Sequence, residues 1–249
     1  MAYLSKMRKP LLLILLLSFY SALYAQGDNS SAFTNLADTE NFLKNLYNSR
    51  LSHELPLNNG KFHYAYSRAI EGSPYFKYDD WQSGSVVYDA ILYENVMMKY
   101  DLVKDVLVIR TREAGGLYIS LFSPRVESFS FSGYTFIYLG QDAANPGMPA
   151  GFYLQLVKGK VTAVSKATKI ITEEIVSMSV KREFEEKNSY YILKNNQYSP
   201  VYKKSGLFGI LREHRKEIQD LLSKQRLKFK KDPQATIITA VNVYNQNEN

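Results

Sequence analysis

The stretch VESFSFSGYTFIYL, Val126 to Leu139, decides the fold class. Val126, Phe129 and Phe131 alternate with Ser128, Ser130 and Ser132 at close to period two, and Tyr134, Phe136 and Tyr138 repeat the pattern after Gly133. A strand turns successive side chains to opposite faces, so this spacing places aromatics on one face and hydroxyls on the other. Ser132-Gly133 is the expected turn between two antiparallel strands. The neighbouring sequence continues the theme. Ser85–Tyr88, Ile91–Tyr93 and Val96–Asp101 are β-branched or aromatic runs. Lys104-Asp105 separates Tyr100–Val103 from Val106–Arg110 as a hairpin, and Gly116–Phe122 predicts a further strand. Phe62–Tyr66 alternates aromatic residues with others until Gly72–Phe76 breaks it. Phe152–Val157 and Val161–Val164 form a hairpin around Lys158-Gly159-Lys160. Asn195-Asn196, with Tyr190–Leu193 before it and Tyr198–Tyr202 after it, suits the positive φ angles of a tight turn. Residues 140–151 form the longest loop, and 183–189 (EFEEKNS) are too charged for core.

Both ends are helical in pattern. A short helix is expected from Asp38 or Thr39, with Phe42, Leu46 and Tyr47 on one face. Leu207, Ile210, Leu211, His214, Ile218, Leu221 and Leu222 share a helical face. Asp232-Pro233 reads as an N-cap and first helical residue of a last helix striped by Ile237 or Ile238, Val241 and Tyr244. The expected class is mainly β (α+β): a curved antiparallel sheet or partial barrel with a short N-terminal helix and two C-terminal helices. A mainly β domain spans 38–204, and a helical segment, 205–249, packs on it.

The first residues set the compartment. MAYLSKMRKP carries Lys6, Arg8 and Lys9 and no acid, and an apolar run follows from Leu11 to Ala25. A basic flank, a short apolar run and a small residue at its end make a cleavable signal peptide over 1–25. The run is too short to span a bilayer stably. Residues 26–37 then form a mobile leader. The chain has no cysteine, so it carries no disulfide, no lipid-attachment cysteine and no cysteine zinc site. The mature chain is expected to hold no transmembrane helix. The formal net charge is +7, with three of those charges in the first ten residues and +6 across 201–232. The body is near neutral, and the basicity is local.

Several segments together resemble a known family. They are Asn48–Arg50 (NSR), Gly72–Phe76 (GSPYF), the run from Gly84 to Ile109, and the closing helix pair. They are similar to an uncharacterised family of exported, roughly 250-residue proteins of Bacteroidota. The resemblance implies export, with the periplasm or an outer-membrane association favoured over full secretion. It implies no reaction and no site residue.

Chemistry-bearing patterns are sparse. His53, His63 and His214 are far apart and lack metal-ligand spacing. His214, on an apolar helix face, reads as a structural histidine. Asp79-Asp80, Glu173-Glu174 and the Glu183–Glu186 group sit on single segments, whereas glycosidase chemistry needs two carboxylates facing across a cleft. No nucleophile elbow, P-loop or dinucleotide fingerprint occurs. No cofactor or metal is expected. Phe129, Phe131, Tyr134, Phe136 and Tyr138 are candidate lining of an apolar ligand cavity, with ordinary core as the alternative. Arg212, Arg215, Lys216, Lys224, Arg226, Lys228, Lys230 and Lys231 are candidate contacts for an anionic lipid surface or an acidic envelope partner, with a solvated helix face as the alternative. Nucleic acid is not an expected partner of an exported chain. The leading reading is a non-enzymatic interaction or accessory module of the envelope. A carrier of an apolar ligand or lipid, and a secreted hydrolase with an unrecognised site, are the alternatives. Expression of the full chain in a Gram-negative host is expected to yield a mature protein starting at Gln26. Intact-mass measurement checks this, and a product retaining Met1 would exclude cleavage.

Overall fold

The computed structural model describes residues 56–111, 116–141, 147–176 and 179–247, together with Thr39, Phe42 and Leu43. The signal peptide, the leader and most of the expected N-terminal helix lie outside the described residues. Thr39, Phe42 and Leu43 are helical.

Twelve strands form one sheet: β1 (Lys61–Phe62), β2 (Ile70–Glu71), β3 (Gln82–Tyr88), β4 (Ile91–Asp101), β5 (Val106–Arg110), β6 (Tyr118–Ser120), β7 (Val126–Phe131), β8 (Tyr134–Leu139), β9 (Gly151–Val157), β10 (Thr162–Val176), β11 (Ser179–Lys194) and β12 (Gln197–Pro200). Their order is β1-β6-β5-β4-β3-β7-β8-β9-β10-β11-β12, and β2 adds to β11 off that path. Among the described residues, every pairing is antiparallel except β2 with β11. The sheet stays open. The expected turns hold: Ser132 and Gly133 have φ of 49° and 81°, and Asn195 and Asn196 have 52° and 59°. Two successive positive φ angles give the turn twist that matches paired strands.

The open sheet curls. The end of β4 meets β10, where the Lys169 amide donates to the Leu102 carbonyl at 2.9 Å. Beside it, Lys166 Nζ pairs with Asp105 Oδ2 at 2.6 Å, and Tyr100 OH donates to Asp105 Oδ1 at 2.6 Å. Lys166 is buried. Gly151, at φ 144°, passes so close that a Cβ would fall on Asp105 and Lys166. The Gly72–Phe76 segment closes the same seam. The Leu102 amide donates to Pro74 O, the Phe76 amide to Tyr100 O, and Lys169 Nζ to Ser73 O and Tyr75 O, at 2.8–2.9 Å.

Inside the curl lies an aromatic core. Phe76 packs edge-on against Phe131, Tyr134 and Phe136, and Tyr100 against Phe129, Phe136 and Phe152. Each buried Phe contributes about 2–3 kcal/mol over leaving it in water, and such ring pairs add about 1 kcal/mol. A second core lies between the β9–β11 region and the helices α1 (Lys204–Ile210), α2 (Arg215–Lys224) and α3 (Pro233–Asn247). Asn245 of α3 brackets the β9–β10 turn, accepting from Val161 N at 2.8 Å and donating to Val161 O at 2.9 Å. Asp232 caps α3 as expected, its Oδ1 accepting from Ala235 N at 2.8 Å.

Three expectations change. The single helix over 207–222 is broken into α1 and α2 by a 3-10 turn at Arg212–His214. Gly206 and Gly209 weaken the helix, and Lys194 Nζ takes the Ile210 carbonyl at 2.9 Å, ending it there. Of the expected 62–66 strand only Phe62 enters the sheet, next to Lys61 in β1. His63 and Tyr66 instead spend their side chains on Ser120 and Asp101. The charged segment 183–189 is not core, yet it belongs to β11. β11 is paired with β10 across fifteen positions, Thr162–Val176 with Ser179–Leu193. A two-stranded ribbon satisfies its backbone across the ladder and needs no buried face to do so.

Removing one partner of the Asp105–Lys166 pair leaves a buried charge. Lys166→Met is expected to cost about 2–3 kcal/mol in denaturant unfolding, near the low end because Asp105 keeps part of its side chain in water. Asp105→Asn/Lys166→Met together should cost less than the two singles summed. Additive losses would show that the pair does not couple the two edges.

Candidate functional site

The candidate lining residues sit together, ring on ring. Phe129, Phe131 and Phe136 are buried in the curl, with the Phe129 and Phe136 centroids 4.7 Å apart. Tyr134 and Tyr138 are half-buried at the margin of that core, against Phe76 and Phe152. The space these rings enclose is occupied by Phe76, Tyr100 and Phe152. The eight candidate basic residues are all exposed. Arg212 lies on the 3-10 turn, Arg215, Lys216 and Lys224 on α2, and Arg226, Lys228, Lys230 and Lys231 on the connection to α3. Glu213, Glu217 and Asp220 are interspersed among them, and Arg212 lies 3.6 Å from Glu213.

The fold assembles a polar cluster that sequence spacing concealed. His63 follows β1, Asp101 ends β4 and Ser120 ends β6, and register brings them to the outer face of the sheet. His63 Nδ1 is 2.9 Å from Ser120 Oγ, and its Nε2 is 3.5 Å from Tyr75 OH and 3.7 Å from Asp101 Oδ2. Asp101 is fully buried. Its Oδ1 accepts from the amides of Val103 and Lys104 at 2.8 and 3.0 Å, and Tyr66 OH donates to Oδ2 at 3.0 Å. Burial and the Asp101 charge push the Tyr66 phenol far above its ordinary value. The residue types are those of a nucleophile, a base and an orienting acid. Their arrangement is that of a clamp. Asp101 is engaged by the hairpin amides and Tyr66, and its approach to His63 is an ion-pair distance rather than a hydrogen bond. Among the described residues, no group of three or more His, Asp or Glu is placed to hold a metal.

Two surfaces outside this clamp are organised for contact. The first is the outer half of the β10–β11 ribbon. Fifteen paired positions at strand spacing make the whole ribbon about 50 Å long. Past residue 168 it leaves the core, with Ile175 81% and Val180 55% exposed. Ile171 and Phe184 are cross-strand partners on the same face, as are Ile175 and Val180. Charges hold the register between them: Arg182 Nε donates to Glu173 Oε1 at 2.6 Å, and Lys169 lies 3.7 Å from Glu186. Parallel pairing of β2 covers the β11 edge only at Arg182 and Glu183.

The second is an open groove of about 460 Å³ on the outer face of β3, β7 and β8. Ser83, Ser85, Ser130 and Thr135 are in its lining, together with the bulged Glu94-Asn95 and the Ser132-Gly133 turn. Ser85 and Ser130 hydroxyls lie 2.9 Å apart. Ser130 and Ser132, two of the three alternating serines that marked this face in the sequence, are in this lining. Trp81, one residue before β3, packs on Tyr118 with centroids 4.9 Å apart. Single residues gave no signal for either surface, because each depends on which strands lie side by side.

Compared with known proteins, the chain matches no family model, no curated protein and no solved structure. Among the described residues, no helix is long and apolar enough to cross a membrane.

His63 titration reads the clamp. Burial, and next the Lys104 charge, hold its pKa below the ordinary histidine value, Asp101 opposing and Lys99 adding to the lowering. The unfolded chain therefore binds more protons than the folded one below about pH 6.5. The stabilisation is complete above that pH and is lost as pH falls toward the folded-state pKa. Thermal unfolding between pH 7 and 5.5 is expected to show a steeper fall in Tm for the native chain than for His63→Gln. Equal slopes would detach His63 from the effect.

Proposed function

We propose that this chain is an exported, non-enzymatic envelope protein that works by holding a partner protein. It operates in the periplasm or at the inner side of the outer membrane, without a lipid anchor. The observation that carries the reading is the ribbon. The outer half of this long hairpin buries little beyond the Tyr66–Phe184 ring contact and the short β2 pairing at Arg182 and Glu183, and a two-stranded ribbon with so little cover is marginal in water. Its apolar side chains, Ile171, Ile175, Val180 and Phe184, lie on one face between charged pairs. That is the composition of an interface: an apolar centre inside a charged rim. The body of the chain, with an aromatic core and a polar clamp, supplies a rigid mount. The export signal and the resemblance to exported Bacteroidota proteins support the compartment.

Mild crosslinking of intact envelopes is expected to trap the chain with a second protein, through lysines of the ribbon such as Lys181 and Lys187. Ile175→Thr with Val180→Thr should abolish that product with little change in Tm, because both positions are exposed and threonine keeps the strand preference of the pair. Recovery of free monomer alone would overturn the reading.

A further inference from the structure

We propose that the outer face of β3 and β4 is a binding site for a neutral oligosaccharide. Trp81 and Tyr118 supply the stacking platform, and the serine-lined groove supplies the adjoining polar subsites. The site is independent of the ribbon and goes beyond the protein-partner reading.

The platform comes from strand register. Tyr118 pairs with Arg110, Arg110 with Met97, and Met97 with Ser83, so the four side chains form one row on the outer face. All four are exposed. Trp81 precedes Ser83 by two residues along the same strand direction and closes on Tyr118. Lys99, two residues from Met97 on the same face, holds its ammonium 4.9 Å from the Trp81 ring centre and donates to the Asp79 carbonyl. Burial holds the Lys99 pKa below its ordinary value, with the Asp79 and Asp80 charges opposing. The groove then continues from Ser83. Its floor carries Ser85, Ser130 and Thr135. The bulge at Asn95, with φ 56°, and the Ser132-Gly133 turn are also part of its lining.

The chemistry selects the ligand by elimination. An apolar molecule would strip water from a row of hydroxyls and return no hydrogen bonds, which is costly. An anion would meet Asp79, Asp80 and Glu94. A cation would meet Arg110 and Lys99. A hydroxyl donates and accepts at once, as do the serines and Thr135. Arg110 and Lys99 add donors, and Asp79 and Asp80 add acceptors. A ligand made of hydroxyls finds both kinds of partner here. A sugar ring also has a face of C–H groups, which suits the partly exposed rings of Trp81 and Tyr118, tilted 44° to one another. Few precisely placed polar groups beside an apolar wall are the usual build of a small-ligand site. A platform continued by a groove calls for several linked sugar rings rather than one.

Trp81 is the sole tryptophan of the chain, so its emission reports this site directly. The mature chain is applied to an array of neutral and acidic glycans, and the bound neutral oligosaccharide is titrated against Trp81 fluorescence. A saturable change in emission is expected. Tyr118→Ala should weaken the affinity about tenfold or more. Raising NaCl from about 50 to about 500 mM should shift it by less than about twofold, since no net charge is neutralised. Tyr118 is a surface residue, and Ser83→Arg, which blocks the groove entrance from another exposed position, should act alike if Tyr118→Ala fails to fold. No bound glycan on the array, binding of acidic glycans alone, or binding that leaves Trp81 emission and both variants unaffected would each overturn the proposal.

Discussion

The ion pair between Asp105 and the buried Lys166 is the constraint on which the rest of the structure depends. Asp105 sits at the tip of the β4–β5 hairpin and Lys166 in the middle of β10. Along the sheet path these strands are separated by β3, β7, β8 and β9. A flat sheet would hold them tens of ångströms apart, at about 4.8 Å per strand. Their contact therefore fixes the curl. Tyr100 OH shares the carboxylate, and burial with the Asp105 charge raises its phenol pKa so that it stays a donor. The Lys169–Leu102 backbone bond extends the seam by one residue pair. Charges taken out of water stabilise a fold only when they are paired and hydrogen-bonded, and here both conditions are met.

From that curl follows the division of the surfaces. The inner face of the sheet turns on itself and fills with phenylalanine and tyrosine. The β9–β11 region gives a second apolar face to the helices, with Leu156 touching both cores. Two regions are left facing water. One is the outer hydroxyl face with its aromatic platform. The other is the ribbon, which continues β10 and β11 past the point where any core can cover them. The Gly72–Phe76 segment, pinned by Lys169, and the His63 clamp fasten the irregular 63–81 connection over the seam between them.

Much of this arrangement was legible from pattern. The alternation over Val126–Leu139, the Ser132-Gly133 and Asn195-Asn196 turns, the Asp101–Val106 hairpin and the Asp232 cap all stand as read, because each depends on a few neighbouring residues. The His63–Ser120–Asp101 cluster was not legible. Its members lie 57 and 38 positions from their partners, and only the pairing of β1 with β6, and of β6 through β5 with β4, brings them together. The outer part of β11, before the Tyr190–Leu193 run that the sequence did show, was hidden for a different reason. Glu, Lys and Asn are poor strand formers, and the ribbon is held by cross-strand pairs rather than by burial.

The sequence by itself determined the strand pattern, the turn positions, the local concentration of basic charge and the expectation of export, since each follows from residue type and near-neighbour spacing. Tertiary structure alone decided that the aromatic stripe is a filled core rather than a cavity. It also decided that the helical segment 207–222 breaks in two, and that the serine face is a groove beside Trp81 and Tyr118. The physical reason is common to all three. Each turns on which distant element occupies the space next to a residue, and strand order across the sheet, together with the curl fixed by the Asp105–Lys166 seam, is what assigns that neighbour.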